Sequence, residues 1–232
     1  MIPVWPLSSP LELTSMHDVN VLSERWPPSM TVKLYRGDLP ADFNPGSAVA
    51  IDTETLGLKP ARDKLCLVQI STGDGNAVLV QMDRSKYDAP NLKALLANPK
   101  VLKIFHFARF DVAVLKQYLD VDTAPLFCTK IASKLVRTYT DRHGLKELVR
   151  ELLGIDLNKL QQSSDWGAHS LTDAQKAYAA EDVVYLHELK QRLEQMLERE
   201  GRTALAKSCF EFLPTRCALD LQGWSEEDVF AH

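Results

Sequence analysis

Hydrophobic positions form short unbroken runs in the first half of the chain and long helix-spaced stretches in the second. Ala48 to Ile51 is an apolar run ahead of Asp52, the pattern of a strand buried on both faces, and a period of two puts Asp52 and Glu54 on the same face. Ala48–Thr53, Leu65–Ser71 and Ala77–Gln81 read as three strands. The Lys59–Lys64 loop and the Gly73-Asp74-Gly75-Asn76 turn between them are short enough to favour antiparallel pairing. Strands then alternate with helices: Asn91–Ala97 helical, Leu102–His106 extended, Phe110–Tyr118 helical, Leu126–Cys128 extended. That last strand reaches a parallel partner only through the crossover helix. Everything beyond Thr129 reads as helices, including a long one from Thr172 to about Arg199 and another over Thr203–Leu213. The expected fold class is therefore α/β: a mixed sheet of three antiparallel strands followed by parallel ones, flanked by helices, with a helical C-terminal region.

Five polar side chains punctuate these elements in a fixed order, D-x-E, then D, then Y-x-x-x-D. They are Asp52 and Glu54 in AVAIDTETLGL, Asp111 in KIFHFARFDVAVL, and Tyr178 and Asp182 in QKAYAAEDVVYLHEL. Residues four apart lie one above the other on a helix, so Tyr178 and Asp182 share a face. Hard divalent cations such as Mg²⁺ or Mn²⁺ take carboxylate, water and phosphate oxygens. Two such ions about 3.5–4 Å apart stabilise the entering and leaving oxygens of a displacement at phosphorus. The expectation is phosphodiester hydrolysis, with Asp52, Glu54, Asp111 and Asp182 as metal ligands. Tyr178, with a reference pKa of about 10, is expected to orient the attacking water rather than to act as a free phenolate.

The three motifs resemble those of the DEDD superfamily of 3′–5′ exonucleases, and Tyr178 resembles the tyrosine of its ribonuclease D-like branch. From Leu34 onward, through YRGDLP, DTETLGL, HFARFD, FCTKIASKLVRTYTDRHGLKEL and GWSEEDVFAH, the chain is similar to the nano-RNase C family of short ribonuclease D relatives in alphaproteobacteria. The resemblance implies a ribonuclease H-like plan and catalytic roles for Asp52, Glu54, Asp111, Tyr178 and Asp182. It also implies hydrolysis of very short RNA, especially diribonucleotides, to nucleoside 5′-monophosphates at the end of RNA decay, and a homo-oligomeric ring. In that ring the apolar stretch Phe210–His232 is expected to pack on a neighbour. Leu56 falls where related small exonucleases wedge an apolar side chain between two bases, and Thr53 and His106 flank the same motifs as candidate substrate contacts. A broader exonuclease acting on structured RNA or DNA ends is the alternative reading.

Composition changes the picture in three places. A net charge of −4 argues against a large nucleic-acid footprint, and the local exception is Thr129–Arg150, with six basic residues against two acidic ones. Lys130, Lys134 and Arg137 fall on one helical face there and are expected to meet substrate phosphates. With 232 residues and 45% hydrophobic content the chain can build one sizeable core. The expected division is an extension over 1–29, holding five of the twelve prolines, and an exonuclease domain over 30–232. There is no apolar stretch of about 20 residues, no signal-peptide pattern and no paired-cysteine spacing, so the expectation is a cytoplasmic protein with free thiols and no membrane partner.

Overall fold

The computed structural model describes residues 30–157 and 164–231, and the expectation for 1–29 lies outside them. Six strands form one sheet in the order β1-β4-β3-β2-β5-β6. β2 (Ala48–Thr55), β3 (Leu65–Ser71) and β4 (Ala77–Gln81) make the antiparallel meander. β5 (Leu102–Phe105) and β6 (Leu126–Cys128) join parallel to β2 and to one another. The unexpected strand is β1 (Val32–Arg36), which pairs parallel with β4 at the sheet edge. The helices are α1 (Pro90–Ala97), α2 (Ala108–Leu119), α3 (Thr129–Val136), α4 (Leu145–Leu153), α5 (Asp173–Val184), α6 (Leu186–Arg199) and α7 (Thr203–Leu219).

β3 is buried along its whole length, consistent with its run of apolar residues and its central place in the sheet. β2 beside it is buried at Val49–Ile51 and opens toward its C-terminal end. Its pairing skips from Glu54 opposite Leu67 to Thr55 opposite Leu65, an irregularity of the kind that bends a strand and re-aims its side chains. Both acids lie past Ala50, the last residue of β2 paired with β5, while remaining paired with β3. α2 starts after Phe107, which takes a left-handed conformation (φ 67°), and so places Asp111 in its first turn. α5 begins at a reciprocal cap: the Gln175 backbone N–H donates to the Thr172 hydroxyl while the Thr172 backbone N–H donates to the Gln175 side-chain Oε1.

Two expectations are corrected. The long helix from Thr172 is two, α5 and α6, meeting at Tyr185. α7 continues past Pro214 to Leu219 instead of ending before it. Of the C-terminal stretch expected to pack on a neighbour, Phe210, Leu213 and Cys217 are buried in their own domain, with Phe210 stacked on Phe127 at 4.8 Å between ring centres, while Phe212, Trp224, Val229 and Phe230 are exposed. Asp220 then ties α7 to α2, accepting from Arg109 Nε at 2.6 Å and from the Arg216 guanidinium at 2.6 Å. All four cysteines are free, three of them buried and Cys209 partly exposed. Among the described residues no helix is long and apolar enough to cross a membrane.

Candidate active site

Asp52 and Glu54 from β2 and Tyr178 and Asp182 from α5 meet in one cleft of about 550 Å³, a size that holds small ligands. Thr53, Leu56, His106, Phe110, Leu145, Ser164 and Trp166 also line it. Ligand oxygens of Asp52, Glu54 and Asp182 all lie within 4.8 Å of one another. Asp111, 3% exposed, stands beside this trio and close enough to act on it electrostatically.

Asp52, Glu54 and Asp111 hold their protons more tightly than usual. Burial is the first cause for Asp52, followed by Asp111, Asp182 and Glu54; for Glu54 it is burial, then Asp182 and Asp111. Burial raises Asp111 too, opposed by the Thr53 hydroxyl, which donates to its Oδ1 at 2.7 Å. Among the described residues no lysine or arginine forms an ion pair with Asp52, Glu54 or Asp111. An all-oxygen donor set whose members repel one another fits a hard divalent ion, and a divalent metal is the cofactor this arrangement takes.

The phenol of Tyr178 is also pushed up, by burial first and then by Asp182, Glu54 and Asp52, so it stays protonated at neutral pH. Its ring is braced by Trp166, 4% exposed, at 6.0 Å between ring centres. Trp166 sits on the 164–169 loop, which side chains of the β1–β4 edge pin through its carbonyls. Arg84 donates to Gly167 at 2.7 Å, Gln81 to Ala168 at 2.9 Å and Arg36 to His169 at 3.1 Å. A Cβ on Gly167 would lie 2.8 Å from Leu56 Cδ2 and 2.9 Å from the Arg84 guanidinium, so this glycine lets the loop close on the cleft rim. Leu56 is half-exposed on that rim.

Sequence reasoning missed two kinds of residue. Gln69, fully buried on β3 opposite Asp52, donates its amide N–H to Asp52 Oδ2 at 3.2 Å. A lone amide inside the otherwise apolar LCLVQIS strand was the available signal, since buried polar groups need partners. The loop clamps Arg36, Gln81 and Arg84 carried no local signal, because their partners lie more than 80 residues away.

The basic patch is corrected. Arg137 has no exposed side-chain surface: its guanidinium pairs with Glu151 and donates to the Arg142 carbonyl at 2.7 Å and the Ser133 hydroxyl at 3.0 Å. It closes α3 against α4 and cannot meet a phosphate. Lys130 and Lys134 stand outside the acidic cleft, beside a separate apolar hollow, with Lys130 Nζ 4.0 Å above the Phe107 ring. Phe107 is 44% exposed.

The Thr53 bond to Asp111 yields a prediction. Thr53→Val keeps the shape and removes the donor, so divalent-ion affinity measured by calorimetry should fall about 10–100-fold, the usual span for a side chain that orients a ligand. Unchanged affinity would show that Asp111 needs no such support.

Comparisons with known proteins agree with this geometry. Residues 38–198 match the family described as 3′–5′ exonuclease. Ribonuclease D of Gluconacetobacter diazotrophicus is 39% identical over 154 residues, a stretch covering 66% of this chain but 39% of that protein. Brucella melitensis NrnC with bound Mg²⁺ superposes with a TM-score of 0.84 at 58% identity, over 88% of this chain and all of that one. The structure of the same protein bound to pGG gives 0.85 at 59% identity with the same coverage. Motif order, a six-stranded ribonuclease H-like sheet and these matches lead to one assignment: the chain belongs to the 3′–5′ exonuclease family, as a ribonuclease D-like DEDD enzyme.

Proposed function

We propose that this 3′–5′ exonuclease hydrolyses very short RNA, above all diribonucleotides, to nucleoside 5′-monophosphates at the end of RNA decay. The observation that carries the reading is the cleft itself. It is small, places Leu56 on the rim directly after the acids, and receives none of the basic side chains of the Thr129–Arg150 patch. Affinity for long strands is built from many phosphate contacts, and few are available here. The Brucella melitensis protein, 59% identical, was solved bound to pGG, which supports the same substrate class for this chain.

In this reading Asp52, Glu54, Asp111 and Asp182 would hold two Mg²⁺ ions, or Mn²⁺ in their place, which would supply charge stabilisation for the entering and leaving oxygens of the displacement at phosphorus. Tyr178, kept protonated by burial and by its acidic neighbours, hydrogen-bonds and orients the attacking water. Trp166 holds the Tyr178 ring in place. Thr53 and Gln69 hold the carboxylates of Asp111 and Asp52 in position. The new bond joins the water oxygen to phosphorus, the P–O3′ bond breaks, and the leaving 3′ oxygen ends with the proton. Leu56 separates the two bases at the rim. The free thiols support action in the cytoplasm. Phe212 and Phe230, stacked at 5.9 Å and both exposed, support assembly into a homo-oligomer that limits access to the cleft.

Product analysis tests the chemistry. A 5′-phosphorylated diribonucleotide and Mg²⁺ should give two 5′-monophosphates, with no turnover after chelation. Release of a 3′-phosphate would contradict the bond assignment.

A further inference from the structure

His106 ends β5 and lines the acidic cleft without being one of its ligands. Its Nδ1 lies 2.9 Å from Thr129 Oγ1, and that hydroxyl lies 3.2 Å from the Phe105 carbonyl oxygen. A carbonyl only accepts, so the single hydroxyl proton of Thr129 belongs to the bond with Phe105. With its proton so placed, the Thr129 oxygen is open to accept from His106, an arrangement that puts the imidazole proton on Nδ1 and leaves Nε2 with a bare lone pair. Thr129 is fully buried at the start of α3, so this arrangement is set by the protein rather than by solvent. The ring is also neutral: burial, with Lys130 and His143, lowers its pKa to about 3. Nε2 has no hydrogen-bond partner among the described residues, and it is not one of the enclosed orphan atoms. The cleft therefore presents an acceptor-only nitrogen beside an acidic cluster.

Among the groups of a bound nucleotide, few can partner such a nitrogen. Phosphate oxygens accept and cannot pair with Nε2. Base donors differ from one nucleotide to the next, whereas sugar hydroxyls recur on every residue of RNA. Resting on the exoribonuclease reading above, we infer that His106 Nε2 accepts a hydrogen bond from a sugar hydroxyl of the bound nucleotide, with Thr129 fixing the tautomer that makes this possible. His106 is then a specificity-determining residue, and if the hydroxyl is a 2′ one it favours RNA over DNA.

The test pairs substrate deletions with protein variants. The substrates are a 5′-phosphorylated diribonucleotide and three analogues, lacking the 2′-hydroxyl of the first residue, the 2′-hydroxyl of the second, or the terminal 3′-hydroxyl. For the unmodified protein one deletion should lower kcat/KM by about 10–100-fold, as expected for a buried hydrogen bond. In His106→Leu that penalty should fall below about twofold, while the penalties of the other two deletions stay unchanged. Thr129→Val should weaken the same penalty by freeing the tautomer, and His106→Gln, whose amide oxygen can take the place of Nε2, should restore part of it. These two variants carry the test if His106→Leu fails to fold by circular dichroism. Equal losses on all four substrates, or a loss that follows base identity, would overturn the inference. If the unmodified protein ignores dinucleotides, the length reading fails separately, and the same deletions built into the 3′ end of a ten-residue RNA decide the role of His106.

Discussion

Asp52→Asn should abolish hydrolysis and at the same time raise the melting temperature of the metal-free protein. The activity loss, expected to exceed about 10⁴-fold, follows from removing a ligand from a cluster whose members act as one unit. The stability gain follows from electrostatics. Asp52, Glu54 and Asp111 all have folded-state pKa values raised above their unfolded ones. A raised group keeps its proton when the unfolded chain has lost it, so its contribution is fully present below the unfolded pKa near 4 and is lost as pH climbs through the folded value. Metal-free protein should accordingly lose stability from about pH 4 to neutrality, and Asn at position 52 should relieve about 1–2 kcal/mol at pH 7. For a chain of this length that is roughly 2–8 °C. Differential scanning calorimetry in chelator checks it. A variant that unfolds, or one that keeps full activity, would overturn the assignment of Asp52 to a shared ion site.

Tyr178→Phe should lower kcat by about 10²–10⁴-fold, the range for a positioned proton-handling group, with divalent-ion affinity changed less than about threefold. The ring still packs on Trp166, so the fold should stand and the change isolates the hydroxyl. Because burial, and then the carboxylates around it, push the phenol upward, the unmodified enzyme should show no loss of activity as pH rises through the ordinary tyrosine range near 10. Stopped-flow turnover and calorimetry separate the two quantities. Equal loss of metal binding and of turnover would make Tyr178 a structural residue.

Much of the site-bearing fold was legible because its signals are local. The apolar run before Asp52, the period of two across Asp52 and Glu54, and the i, i+4 spacing of Tyr178 and Asp182 are each properties of one element. What escaped depends on contacts distant in sequence. β1 is short, carries Lys33 and Arg36, and is made a strand by parallel pairing with β4 some 45 residues later. Arg137 shares a helical spacing with Lys130 and Lys134, yet Glu151 on α4 takes it out of solvent. Pro214 reads as a helix end, but α7 runs through it because Phe210, Leu213 and Cys217 anchor the helix on both sides of the proline. The break at Tyr185 has no glycine or proline to announce it.

Length preference is the central claim, and a time course on 5′-labelled RNAs of two to twenty nucleotides, beside matched DNAs, tests it most directly. With Mg²⁺ present, kcat/KM should be greatest for the dinucleotide and fall steeply for longer RNA, with the DNA series slower at every length. Equal or faster processing of twenty-residue RNA, or of DNA, would contradict the account and mark the chain as a broader exonuclease.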